Sequence, residues 1–102
     1  MITFDPASET ATADREASRL YHCARRFAKH AEKAERQAGL DEKRAAAARR
    51  HPVPGAVGPE AWEQSAEAWR KMAGQDRRRV PQYRAWARQA AAQGRLYRRI
   101  TR

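Results

Sequence analysis

The sequence predicts an all-α protein, a long antiparallel helical hairpin with an Ala-rich, coiled-coil-like seam. Three observations predict it. Apolar positions recur at alternating steps of four and three along two long stretches. A single cluster of proline and glycine separates those stretches. Alanine, the best helix former, supplies 23 of the 102 residues, so intrinsic propensity agrees with the pattern.

Residues 1–10 read as a flexible or docking lead. Pro6 is expected to bar a helix through that point, with Ser8 or Thr10 as cap. The first helix is expected over residues 11–49, with seam positions Ala13, Ala17, Leu20, Ala24, Phe27, Ala31, Ala34 and Ala38, resuming at Ala45 and Ala48 after Asp41. Gly39 either ends this helix or lets a bulky side chain approach closely. The renewed pattern after Asp41 favours close approach. The turn falls at 51–58, where prolines 52 and 54 and glycines 55 and 58 cannot continue a helix.

The second helix is expected over residues 60–99. Pro59 and Glu60 suit a first turn, where proline fits and an acid faces the positive end of the helix dipole. Its seam runs Trp62, Ala66, Trp69, Ala73, Asp76, Val80, Tyr83, Ala87, Ala90, Gly94, Tyr97. Near Gly74–Pro81 the helix either kinks or breaks and restarts in phase, and the kept register favours a kink. Antiparallel counting pairs positions whose numbers add to about 109, which sets Trp69 opposite Gly39 and Leu40. Asp76, polar on an apolar seam, is expected to face Lys33 or Arg36 as a register-setting ion pair. The whole chain reads as one helical domain.

Leu, Ile, Val and Phe number only ten, so an alanine seam must do most of the packing. A flanking stripe of Met72, Trp86 and Ile100 recurs beside that seam and would stay wet on a lone hairpin. It is the expected association surface, for a homodimer or another partner.

The net charge of +10 is unevenly placed. Residues 77–102 hold nine arginines and no acid, against eight acids in the first 50 residues. GC-rich coding explains arginine in place of lysine, but not the loss of acids. Arg77, Arg78, Arg79, Arg84, Arg88, Arg95, Arg98 and Arg99 are therefore expected to bind nucleic acid or another polyanion, since the guanidinium fork suits phosphate. The alternative partner is an acidic protein, with this chain as helical adaptor and no nucleic-acid contact.

Catalytic and cofactor chemistry find little support. Ser8, Ser18 and Ser65 have no His–Asp context. His22, Cys23 and His30 fall short of a four-ligand zinc set, and the glycines form no phosphate-cradling loop. No enzyme activity, cofactor, metal or small-molecule substrate is expected. The lone Cys23 forms no intrachain disulfide. No apolar run reaches membrane-spanning length, and residues 1–16 carry acids without an apolar core, so a cytoplasmic protein is expected.

The stretch from Trp62 to Ala87, with Ser65-Ala66-Glu67, Trp69, Ala73, Asp76 and Tyr83, resembles a family of short actinobacterial helical proteins of unknown function. These share a W…SAE-x-aromatic-x-x-x-A-x-x-D pattern followed by a helix rich in Ala, Glu and Arg. The resemblance covers about a quarter of the chain. It implies an actinobacterial, cytoplasmic, helical protein and carries no activity with it. After Asp76 this chain departs from the pattern, being rich in arginine and free of acid.

Overall fold

The computed structural model describes residues 3–101. It is a helical hairpin of two elements, α1 (Pro6–Arg50) and α2 (Pro59–Thr101), with no strand among the described residues. The chain divides into two compact units, each built from both helices. A turn unit comprises Phe27–Arg78, and a terminal unit comprises Met1–Arg26 with Arg79–Arg102.

Pro6 starts α1 where it was expected to bar it. Proline is well placed at the first helical position, because its missing N–H would have no partner there in any case. Asp5 is the cap: its carboxylate accepts a hydrogen bond from the Ala7 N–H at 3.2 Å, and its carbonyl accepts the first helical bond, from Glu9 N–H at 3.0 Å. Thr10 and Thr12 lie inside the helix, their hydroxyls donating back to the Pro6 and Ser8 carbonyls. Phe4, ahead of the helix, lies 5.7 Å between ring centroids from Tyr97.

The loop obeys its prolines and glycines. Ala56 N–H reaches the Val53 carbonyl at 3.1 Å, closing a turn with Pro54 and Gly55 at its centre. Gly55 has φ +86°, the conformation that the third position of such a turn requires and that glycine adopts without strain. The Trp62 N–H then bonds to the Gly58 carbonyl at 3.4 Å, opening α2 with Pro59 in the first helical position.

α2 runs unbroken through Gly74 and Pro81, so no break and restart occurs. Pro81 withholds one donor from the helix, leaving the Arg77 carbonyl without its usual partner. Pro81 itself is exposed. α1 likewise runs through Gly39, and a Cβ built there would meet nothing within 4 Å. Both earlier roles for Gly39 fall: it neither ends the helix nor accommodates a close neighbour.

The buried residues are those the period selects: Ala17, Leu20, Ala24, Ala31, Ala34, Ala38 and Ala45 on α1, and Ala66, Ala73, Val80 and Ala87 on α2. In the turn unit Trp69 packs on Ala31, Ala34 and Ala73, a large ring against three small residues. Leu40, its expected neighbour, is exposed. With the seam lettered a and d as in a heptad, Ala17, Ala24, Ala31, Ala38 and Ala45 take a, and Leu20, Ala34 and Asp41 take d. On α2, Ala66, Ala73, Val80 and Ala87 take a. Position e follows each d, and g precedes each a.

Candidate functional site

Position e carries the charges that bind the helices together. In the turn unit three ion pairs join e to e: Arg49–Glu63, Arg70–Glu42 and Arg77–Glu35. They fall seven residues apart on each helix, so one heptad register satisfies all three. Arg77 holds the Glu35 carboxyl below its ordinary range through their hydrogen bond, and Arg49 does the same for Glu63. All six side chains are about half exposed, so these pairs set alignment more than they add stability.

Asp41 is the polar member of the turn-unit seam. It is 2% exposed, more deeply buried than Leu20 or Val80. Its carboxylate accepts a 2.5 Å hydrogen bond from the Ser65 hydroxyl of α2 and a 2.8 Å bond from Arg44, one turn along α1. The Ser65 bond is the main reason its carboxyl is held below the ordinary value; Arg44 adds to the effect, Trp69 contributes least, and burial opposes all three. Arg44 also stands over the Trp62 ring, 5.0 Å from its centroid. The register-setting residue is therefore Asp41. Asp76 is half-buried and has no ion pair among the described residues, so the expected bridge to Lys33 or Arg36 is absent. Asp41 stood in the seam spacing between Ala38 and Ala45, with Arg44 three residues on, and those two signals would have found it.

Among its described residues the terminal unit has one e-to-e pair, Asp14–Arg98. It sits over Gly94, where a Cβ would come within 2.6 Å of the Asp14 carboxylate. Glycine here lets the acid lie against the α2 backbone. Within this unit position e of α1 next falls on Tyr21, which is not acidic. On α2 position e still carries a base, Arg84.

The eight arginines singled out by charge fall into separate groups. Arg77 and Arg98 are ion-paired, and Arg79 has a contact of its own. Arg78 lies in the turn unit, exposed and with no ion pair among the described residues. In the terminal unit Arg84, Arg88, Arg95 and Arg99 are all exposed and pair with no described carboxylate. Their spacing of four, seven and four places them within one narrow sector of α2. The Trp86 flank is open as expected: Met72 in the turn unit and Trp86 and Ile100 in the terminal unit are about half exposed, and Leu96, which the stripe omitted, joins them. Trp86 meets Tyr83 edge-on at 5.3 Å.

Among the described residues no three of His, Cys, Asp and Glu gather in a metal-binding group, and no helix is long and apolar enough to cross a membrane. No protein-family model, curated protein or solved structure matches the chain.

Proposed function

We propose that the protein is a small helical accessory protein that binds nucleic acid, as a polyanion and without base specificity, through the terminal unit of its Arg-rich arm. The observation carrying this reading is that Arg84, Arg88, Arg95 and Arg99 share one exposed sector with no described carboxylate to neutralise them. Arginines elsewhere on the same helix, Arg70 and Arg77, are already matched to glutamates. A row of unmatched guanidiniums binds phosphates by displacing condensed counterions. Nothing in the row fixes a set of base-reading side chains, so affinity should ignore base sequence.

A fluorescence-anisotropy titration against random-sequence DNA and RNA at two salt concentrations tests this. Four to five phosphates give a log-affinity against log-salt slope of roughly −4 on duplex DNA. Reversing Arg84, Arg88 and Arg95 to Glu should abolish binding and leave helicity intact, because none of the three lies on the seam. A folded sample that ignores DNA and RNA at low salt ends the reading.

A second reading, a helical adaptor for an acidic protein or a homodimer, draws on Met72, Trp86, Leu96 and Ile100, large apolar side chains left about half exposed. It expects one co-purifying protein, or a sedimenting dimer with Trp86 fluorescence shifted away from that of indole in water.

A further inference from the structure

In the terminal unit position e of α1 carries Tyr21 in place of an acid, and Tyr21 lines a cleft. Ser18, Tyr21, Ala24, Arg25 and Arg84 line a concavity of about 350 Å³ between the helices. One arginine from each helix lines it, together with two hydroxyl-bearing residues and no acidic one. Elsewhere a basic e position finds an acid across the hairpin: Arg70 has Glu42, Arg77 has Glu35, Arg98 has Asp14. Arg84 instead shares its cleft with another cation, Arg25, which also pairs with no described acid. Like charges brought together at a cleft repel each other, and an anion seated between them reverses the sign of that interaction.

We infer that this cleft is a phosphate subsite: one phosphate group of the bound nucleic acid sits between Arg25 and Arg84 and accepts hydrogen bonds from the Ser18 and Tyr21 hydroxyls. The inference rests on the polyanion reading and deepens it, by fixing one backbone phosphate in place beside the row Arg88, Arg95 and Arg99. The ligand chemistry follows from the lining. Two guanidiniums supply charge and forked donors, as a tetrahedral oxyanion requires. Two hydroxyls supply neutral donors, and Ala24, a small buried residue, lines the cleft beside them. A plain electrostatic row would need only the charges. The hydroxyls distinguish a built subsite from a charged surface.

The test therefore sets two substitutions that leave the charge unchanged beside two, Arg84→Gln in the cleft and Arg26→Gln outside it, that each remove one charge. Ser18→Ala and Tyr21→Phe keep every guanidinium, and Arg26→Gln removes one exposed charge outside the cleft as a control. Each is titrated against random-sequence single-stranded DNA at two salt concentrations. Inorganic phosphate is titrated separately against the wild-type chain, followed by amide and arginine side-chain NMR shifts. The subsite expects the Ser18→Ala/Tyr21→Phe double variant to lose about tenfold in affinity with the salt slope unchanged, since hydrogen bonds to a charged group are lost while the number of neutralised phosphates is not. It expects Arg84→Gln to weaken binding more than Arg26→Gln, and phosphate to shift Tyr21 and Arg84 signals. If DNA binds but the double variant matches wild type and Arg84→Gln matches Arg26→Gln, the subsite is overturned and the polyanion reading stands. If phosphate shifts Tyr21 and Arg84 while DNA does not bind, nucleic acid is overturned as the source of the phosphate. Silence in both titrations overturns both.

Discussion

In the turn unit Arg49, Arg70 and Arg77 each stand across from a glutamate, and a buried aspartate is held by a serine and an arginine. Among the described residues of the terminal unit only Arg98 finds a carboxylate across the hairpin, and Arg25 and Arg84 share a cleft lined by no acidic residue. The same two helices and the same heptad period build both units, so the difference is one of side chains alone. Charges matched within the chain fix its alignment. Charges left unmatched remain available to something outside it.

The largest expected effect tests whether the turn unit is the better-anchored half. Trp69→Ala removes the one large ring from the cluster of Ala31, Ala34 and Ala73 and should cost about 3–5 kcal/mol. A core made of alanines cannot close over that loss, so the thermal transition followed by circular dichroism should fall far or vanish. Leu20→Ala, in the terminal unit, should cost about 2–5 kcal/mol and open that unit first by hydrogen exchange. Equal exchange in both units after Leu20→Ala would show that they do not unfold separately.

Acid should bear harder on the turn unit. Glu35, Asp41 and Glu63 there have carboxyls held below their ordinary values by Arg77, by Ser65 with Arg44, and by Arg49; in the terminal unit Glu16 is lowered, by its neighbour Arg19 on the same helix. A lowered folded-state pKa means that the unfolded chain binds more protons in that range. The stabilisation is thus complete above the ordinary carboxylate range and is lost as pH falls through it and below. Hydrogen exchange measured down a pH series should show turn-unit protection eroding more steeply than protection around Ala17 and Ala87. The reverse order would contradict the contrast in charge matching.

Glycine gives the smallest effect and the most discriminating one. Gly39→Ala or Gly74→Ala, both in the turn unit with open space at the new Cβ, should stabilise by about 1 kcal/mol through helix propensity. Gly94→Ala, in the terminal unit, should give none of that gain, because the new methyl meets the Asp14 carboxylate and displaces it from Arg98. Placed on an Asp14→Ala background, Gly94→Ala should recover the full increment of about 1 kcal/mol. A denaturant melt of these variants beside wild type and Asp14→Ala reads this directly.

The two long helices and their seam were legible because the period is dense and nearly unbroken: Ala17 through Ala45 and Ala66 through Ala87 are buried where the count of four and three puts them. The start of α1 was missed because Pro6 reads as a breaker unless the Asp5 cap before it is weighed as well. The polar lock was assigned to Asp76 and belongs to Asp41. Charge complementarity pointed at lysine and arginine, whereas the partner across the hairpin is a hydroxyl, Ser65, that sequence patterning does not rank. The arginine row was visible in composition. Its division into matched and unmatched members was not, because that depends on which glutamates and aspartates the hairpin register delivers to each base.

The alanine seam also bears on how the hairpin finds its alignment. Alanine against alanine looks much the same if one helix of the hairpin slides past the other by about seven residues, so close packing alone leaves several nearly degenerate alignments. Asp41 breaks that degeneracy. Only one alignment sets it beside Ser65, and every shifted one buries the carboxylate with Arg44 of its own helix but without the bond across the hairpin. The short loop limits slippage from one end, and the aspartate penalises it from within. A chain given seven extra loop residues should keep its alignment while Asp41 is present, and should sample slipped hairpins once Asp41 is replaced by alanine.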